Sequence, residues 1–221
     1  MTSPLHHVFI TGGTGYLGRE LIPQLLVRNH PVRALVRPAS EGKLPKGCEP
    51  ILGDALRQET FVNQIAPADT FIQLVGVQHP SPAKAAQFQA VDLPAGMAGL
   101  RAAVEAGIRH FIYLSVAQPA PIMKAYIEVR SNCEAAIRAA GLNATILRPW
   151  YVLGPGHRWP YVLLPLYKVM EALPPTRDGA RRLGLVTLRQ MVDSLIGAVE
   201  NPVEGIRTME VPQIRTASQR L

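Results

Sequence analysis

Cysteine is nearly absent from this 221-residue chain: Cys48 and Cys133 are its only two. Two such residues make no disulfide framework, and they lack the spacing of a metal-ligand pair. The six histidines include no His-x-x-x-His pair, which leaves a metal site without support. Long apolar runs are missing as well. The most apolar late segment, 159–167, is far too short for a membrane span and is broken by Pro160 and Pro165. The opening residues M-T-S-P-L-H-H carry no basic patch leading into an apolar run, so no secretory signal is read and a cytoplasmic location is expected. Charged residues make up only 18% of the chain against 48% hydrophobic, a balance that excludes disorder and suits a folded core. The length fits one domain, or one domain with a modest appendage.

The net charge is +7, and basic chains can bind nucleic acid or acidic surfaces. Here the arginines are scattered, with only Arg181 and Arg182 adjacent, and the aromatic residues do not interleave with them. Neither a nucleic-acid partner nor a membrane is expected. A cationic surface that accepts a polyphosphate cofactor explains the charge with fewer assumptions.

What the chain does contain is T-G-G-T-G-Y-L-G, Thr11 to Gly18, entered from the apolar run Val8-Phe9-Ile10 and left by a helical pattern from Leu17 through Leu26. Strand, glycine turn and helix form the setting of a dinucleotide fingerprint. Gly12 permits the tight turn off the strand, Gly15 lets backbone approach a pyrophosphate, and Gly18 lets the helix sit close against the sheet. The N–H groups and positive dipole end of that helix then face the phosphates. Thr14, Tyr16 and Leu17 lie within the same turn and are counted with the cofactor site.

Further strands are expected at Val32–Val36, Glu49–Leu52, Asp69–Val75, Arg109–Ser115, Asn143–Leu147 and Gly205–Val211. The helices between them begin near Leu56, run through Met97, Leu100 and Val104, and span Ile122 to about Gly141. Strands alternating with helices at these lengths predict a Rossmann-type, doubly wound parallel α/β sheet. The second strand finishes at Arg37, where an NAD site presents an acid to the ribose and an NADP site presents a cation to the 2′-phosphate. NADP is therefore expected, with NAD as the alternative. Asp54 ends the third strand, followed by Ala55. Its carboxylate either accepts from the adenine amino group or caps the helix from Leu56. Val75, Gly76 and Val77 close the fourth strand with a small residue suited to a dinucleotide. Residues 1–150 read as the nucleotide-binding core and 151–221 as a substrate-side appendage, with a short helix near Leu163 to Leu173, a short strand at Arg182–Val186 and a helix capped by Thr187.

The motifs G-G-T-G-Y-L-G (12–18), V-R-A-L-V-R (32–37), Gly53-Asp54, H-F-I-Y-L-S (110–115) and E-A-A-I-R-A-A-G-L-N-A-T-I-L-R-P (134–149) resemble the short-chain dehydrogenase/reductase superfamily. The likeness is to its atypical or extended-like branch, with NmrA-like proteins and the NAD-dependent epimerase/dehydratase relatives. The resemblance implies a Tyr-x-x-x-Lys catalytic pair, and the matching positions here are Tyr126 and Arg130. The tyrosine would serve as general acid/base, and the cation would tune it and hold the nicotinamide ribose. Arginine keeps the charge but cannot give up a proton. Tyr126, Arg130, Cys133 and Ile137 share one helix face, so a core tyrosine is the alternative for Tyr126.

The resemblance also implies a serine after the fifth strand, for which Ser115 is nearest, although Val116 and Ala117 compete for the position. Lys124 is a substitute cation on another helix face. Pro149, Tyr151 and Val152 follow the sixth strand, where such relatives contact the carboxamide. His79, His157, Arg158 and Trp159 are candidates for the substrate pocket. An NADP-dependent oxidoreductase of an apolar carbonyl, quinone-like or alkene substrate is expected, with a non-catalytic NADP-sensing regulator or assembly factor as the alternative. A nucleotide-sugar epimerase or dehydratase ranks third, because it needs a larger substrate domain.

Overall fold

The computed structural model describes residues 4–155 and 177–217. Among them, strands β1 (Val8–Thr11), β2 (Val32–Val36), β3 (Glu49–Leu52), β4 (Thr70–Gln73), β5 (His110–Leu114), β6 (Ala144–Arg148) and β9 (Ile206–Glu210) form one sheet in the order β3-β2-β1-β4-β5-β6-β9. Every pairing in it is parallel. A second, two-stranded sheet joins β7 (Tyr151–Leu153) to β8 (Leu185–Thr187). The strand order reverses at the β1/β4 boundary, the switch point where doubly wound sheets open a crevice at their carboxyl ends.

Both faces of the central strands are covered, which is why β1 and β5 read as near-continuous apolar runs. One face packs Val8, Ile10, Ala34, Ile72, Ile112 and Leu147 against α1 (Gly18–Val27) and α5 (Leu188–Glu200). The opposite face carries Phe9, Phe71 and Phe111, in register on β1, β4 and β5, with ring centroids 5.2 and 5.4 Å apart. That row lies under α2 (Leu93–Glu105) and α3 (Lys124–Ala139). Such offset aromatic neighbours add to simple area burial.

Several elements differ from the periodicity reading. No regular helix starts at Leu56; two short 3-10 turns, Gln58–Thr60 and Val62–Gln64, replace it. Pro94 sits in the first turn of α2, which is entered through a π turn at Phe88–Asp92. A helix, α4 (Arg177–Arg182), lies where the strand was expected to begin, and β8 starts only at Leu185. The expected helix near 163–173 lies outside the described residues. Thr187 caps α5 as anticipated: its hydroxyl accepts from the Gln190 amide at 3.1 Å, and its own amide donates to Gln190 Oε1 at 2.8 Å, a capping box. The chain after 150 is not peripheral throughout. Its β9 completes the sheet beside β6, and α5 and the closing helix α6 (Val211–Ala217) supply Leu195, Ile196, Val199, Val211 and Ile214 to the core.

His110 opens β5 in the sheet interior, with Nε2 3.0 Å from Thr145 Oγ1. Burial, helped by Arg207 and His6, pushes its pKa down to about 4. An imidazole depressed on folding contributes stability above its unfolded value of 6.5 and loses it as pH falls through about 4. The denaturation midpoint is therefore expected to drop between those pH values, less steeply in His110→Gln. Equal slopes in urea titrations of the two proteins would refute this.

Candidate functional site: a glycine turn beside an apolar cleft

The glycine turn is held by its own backbone. Gly12 adopts φ +78°, the left-handed region that a side chain disfavours. The Gly15 amide closes the turn on the Gly12 carbonyl at 2.9 Å. A Cβ on Gly12 would lie 2.9 Å from the Leu74 carbonyl carbon and 3.0 Å from the Val75 nitrogen, so the turn rests on the end of β4. Gly18 is crowded from the same side: a Cβ there would meet Gly12 O, Gly13 Cα and Gly13 O, each at 2.6 Å. Its close approach is thus between α1 and the turn, rather than between α1 and the sheet.

This cradle fits a dinucleotide diphosphate. Helix α1 has no side-chain N-cap, so no side-chain oxygen competes for the amides at its mouth. Leu17 is buried in the core and offers backbone alone to a ligand, and the Tyr16 hydroxyl lies against Gly154. Thr14 is half-buried at the tip of the turn. Arg37 is exposed one residue past β2, and its carbonyl accepts from Ser40 at 2.8 Å. Asp54 does cap locally: its Oδ1 accepts from the Leu56 amide at 3.0 Å, while its own amide donates to Thr60 Oγ1 at 2.9 Å. Ala55 beside it is half-buried.

Past the switch point, α3 presents Tyr126 to a cleft of about 370 Å³. Pro82, Phe88, Ile122, Met123, Lys124 and Ala125 complete its lining, so the wall is apolar apart from Lys124 and the tyrosine. Phe88 sits 4.8 Å from the Tyr126 ring. Met123, just before α3, takes φ +62°, a conformation rare for a side chain of this size. Lys124, read from the sequence as facing elsewhere, stands on the rim of the same cleft.

Arg130 departs from the expected arrangement. It is 3% exposed, and its guanidinium lies over the Tyr126 ring, 5.1 Å from the centroid, instead of facing a ligand. Nη2 donates to Asp92 Oδ1 at 2.5 Å, and Nη1 donates to the Leu114 carbonyl at 2.7 Å. Burial opposes the charge on Arg130, but Tyr126, Tyr113 and Asp92 more than offset it and hold the group above its ordinary value. Burial pushes the Asp92 carboxyl up, against the pull of Arg130 and the Val77 amide.

Ser115 likewise points inward. Its hydroxyl donates to Glu134 Oε1 at 2.5 Å, and it is 2% exposed. Glu134 also binds Arg148, which reaches on to Glu210. A serine that polarises a substrate oxygen must donate its proton to it, and this one is donating elsewhere. Val116 and Ala117, its rivals for the position, are buried.

Val75, Gly76 and Val77 lie half-buried at the end of β4. Pro149 is buried, and its carbonyl accepts from Ala117 at 2.9 Å. Tyr151 and Val152 are half-buried in β7. His79 is exposed, while His157, Arg158 and Trp159 lie outside the described residues. Asp92 and Glu134 were not singled out from the sequence. The available signal was Arg130 itself, a cation on an otherwise apolar stripe, which requires a buried partner. Among the described residues no group of three His, Cys, Asp or Glu side chains could hold a metal, and no helix is long and apolar enough to cross a membrane.

The glycine turn and the switch point are those of a dinucleotide-binding fold. Residues 12–163 match the NAD(P)H-binding family model, and the chain belongs to that family. Its sequence is similar to a ceramide reductase of Caulobacter vibrioides, 27% identical over 219 residues that cover 94% of this chain and 65% of that protein. It is also similar to the photosystem II assembly factor Ycf39 of Trieres chinensis, 28% identical over 145 residues, 64% of this chain and 44% of that protein. The chain thus spans between about two-fifths and two-thirds of these relatives. The fold is shared with the UDP-glucose 4-epimerase of Thermus thermophilus in complex with NAD, at TM-score 0.66 and 17% identity, covering 96% of this chain and 82% of that one. The expected NAD(P)-binding family is thus shown by the sequence match, and the expected fold is shared with this epimerase.

Proposed function

We propose that this protein is an NADP(H)-dependent reductase of an apolar carbonyl, quinone-like or alkene substrate. The observation that carries the reading is the apolar cleft walled by Phe88, Ile122, Met123 and Tyr126 at the carboxyl ends of the strands. Bound at the glycine turn, NADPH would supply the hydride. Tyr126 is the proton donor toward the substrate oxygen or carbon, and Phe88 fixes its ring. Pro82, Phe88, Ile122 and Met123 favour an apolar body by the area that they remove from water. The similar ceramide reductase, named for an apolar substrate, supports the same choice. Arg37 meets the 2′-phosphate and sets the preference for NADPH.

Equilibrium titrations with NADPH and NADH test the cofactor half. Wild-type protein is expected to prefer NADPH, and Arg37→Ala to weaken NADPH by about 10- to 100-fold, the worth of a charge-assisted hydrogen bond, with NADH unchanged. Equal losses for both nucleotides would remove Arg37 from the 2′-phosphate site.

A second reading is favoured by the inward commitment of Arg130 and Ser115: a protein that binds NADP(H) and does not turn over, acting as a regulator or assembly factor. Its likeness to an assembly factor points the same way. A screen of apolar ketones, quinones and alkenes for NADPH consumption separates the two.

A further inference from the structure

Arg130 is too well tied to be idle. Its Nη2 binds Asp92 Oδ1 at 2.5 Å, and the other oxygen of that carboxylate accepts from the Val77 amide at 3.0 Å. Its Nη1 donates to the Leu114 carbonyl at 2.7 Å and approaches the Tyr113 hydroxyl at 3.4 Å. Two side chains, 38 positions apart in sequence, thereby join four pieces of chain. These are the turn after β4, the start of α2, the end of β5 and the middle of α3.

The turn after β4 is the one against which the glycine turn rests, through Gly12 on Leu74 and Val75. Gly76 faces the pair directly: a Cβ there would overlap Arg130 Nη2 and lie 2.9 Å from Asp92 Oδ1. The guanidinium also supports the face of Tyr126. Both charges are almost wholly buried, so neither finds water if the other is removed.

We propose that Asp92 and Arg130 are a positioning pair, which holds the Gly76–Val77 turn and the Tyr126 ring in place for the dinucleotide and the cleft. The proposal rests on the NAD(P)H reading for its functional half. Arg130 in this role acts by geometry, through two hydrogen-bonding nitrogens set at a fixed spacing. A lysine, with one ammonium on a flexible stem, keeps the charge and cannot span Asp92 and the Leu114 carbonyl together.

Arg130→Lys is therefore the decisive variant, with Asp92→Asn, Arg130→Met, their double mutant and Gly76→Ala beside it. Two readouts are taken on the full chain: NADPH affinity, and amide hydrogen exchange at Val77 in nucleotide-free protein. Arg130→Lys and Asp92→Asn are each expected to weaken NADPH by about tenfold or more and to speed Val77 exchange similarly, because the lysine does not reach both acceptors and the asparagine leaves the guanidinium charge uncompensated. Ile10 and Phe71 in the strands should keep their protection, which separates local release from unfolding. The double mutant is expected to bind no worse than the weaker single mutant, and Gly76→Ala to reproduce the loss with both charges in place.

Full retention of affinity in Arg130→Lys would overturn the proposal, since a lysine would then serve as well as the fork. Additive losses in the double mutant, or unchanged Val77 exchange in every variant, would overturn it too. Wild-type protein that binds neither NADPH nor NADH would defeat the dinucleotide reading instead, and Val77 exchange would still decide whether the pair holds the turn.

Discussion

Gly18→Ala is expected to weaken NADPH binding by about 100-fold or more while leaving the sheet folded. The added methyl would lie 2.6 Å from Gly12 O, Gly13 Cα and Gly13 O. All three are backbone atoms, so no side-chain rotation relieves the overlap. Helix α1 cannot retreat cheaply either, because Leu21, Ile22 and Leu25 are fully buried beneath it. The strain must therefore open the turn, which is closed by the Gly15 amide on the Gly12 carbonyl. Opening it scatters the amide groups that would meet the diphosphate. Overpacking of this kind costs about 1–3 kcal/mol of stability, small against a folded domain and large against a binding site. Gly42→Ala is the matched control, since a Cβ there meets nothing within 4 Å. Titration and thermal melts of the two variants decide the matter. Gly18→Ala binding within about threefold of wild type would mean that the diphosphate does not use this turn.

How much of this was legible in the sequence follows from the range of the interactions involved. Strands β1, β2 and β3 and the cap of α5 depend on local patterns, and their observed limits match those patterns to within a residue. The turn after Gly53 defeated the pattern because Asp54 and Thr60 close it upon themselves, so two 3-10 turns form where a helix was expected. Strand β7 escaped notice because three residues are too few to carry a period, and β8, expected from Arg182, begins only at Leu185. The site divides in the same way. The roles proposed for the glycine turn, Arg37 and Tyr126 are readable because each is tied to a motif or to the end of a strand. Asp92 and Glu134 are not, because what matters about them is a partner 38 or 14 residues away, and no spacing rule announces it. Arg130 and Ser115 show the reverse error. The sequence places them beside the expected site, and only the packing shows that their donors are turned inward.

That inward turn raises what is expected of Tyr126→Phe. With Ser115 donating to Glu134 and Arg130 to Asp92 and Leu114, the tyrosine hydroxyl has little help within the cleft. Lys124 is the other titratable group in the lining. If the protein reduces a substrate there, removal of the one oxygen is expected to lower kcat by about 100- to 10,000-fold, the span of a positioned general acid. NADPH affinity should stay within about twofold, because the ring contacts with Phe88 and the Arg130 guanidinium do not involve the hydroxyl. The measurement is steady-state NADPH oxidation with whichever ketone, quinone or alkene the screen yields, run beside the titration and beside Lys124→Ala. A collapse confined to Tyr126→Phe assigns proton transfer to the tyrosine. A collapse confined to Lys124→Ala moves the donor to the rim of the cleft and leaves the apolar wall as the determinant of specificity. Wild-type rates in both variants would mean that the proton comes from solvent, and the cleft would then act on the substrate by shape alone.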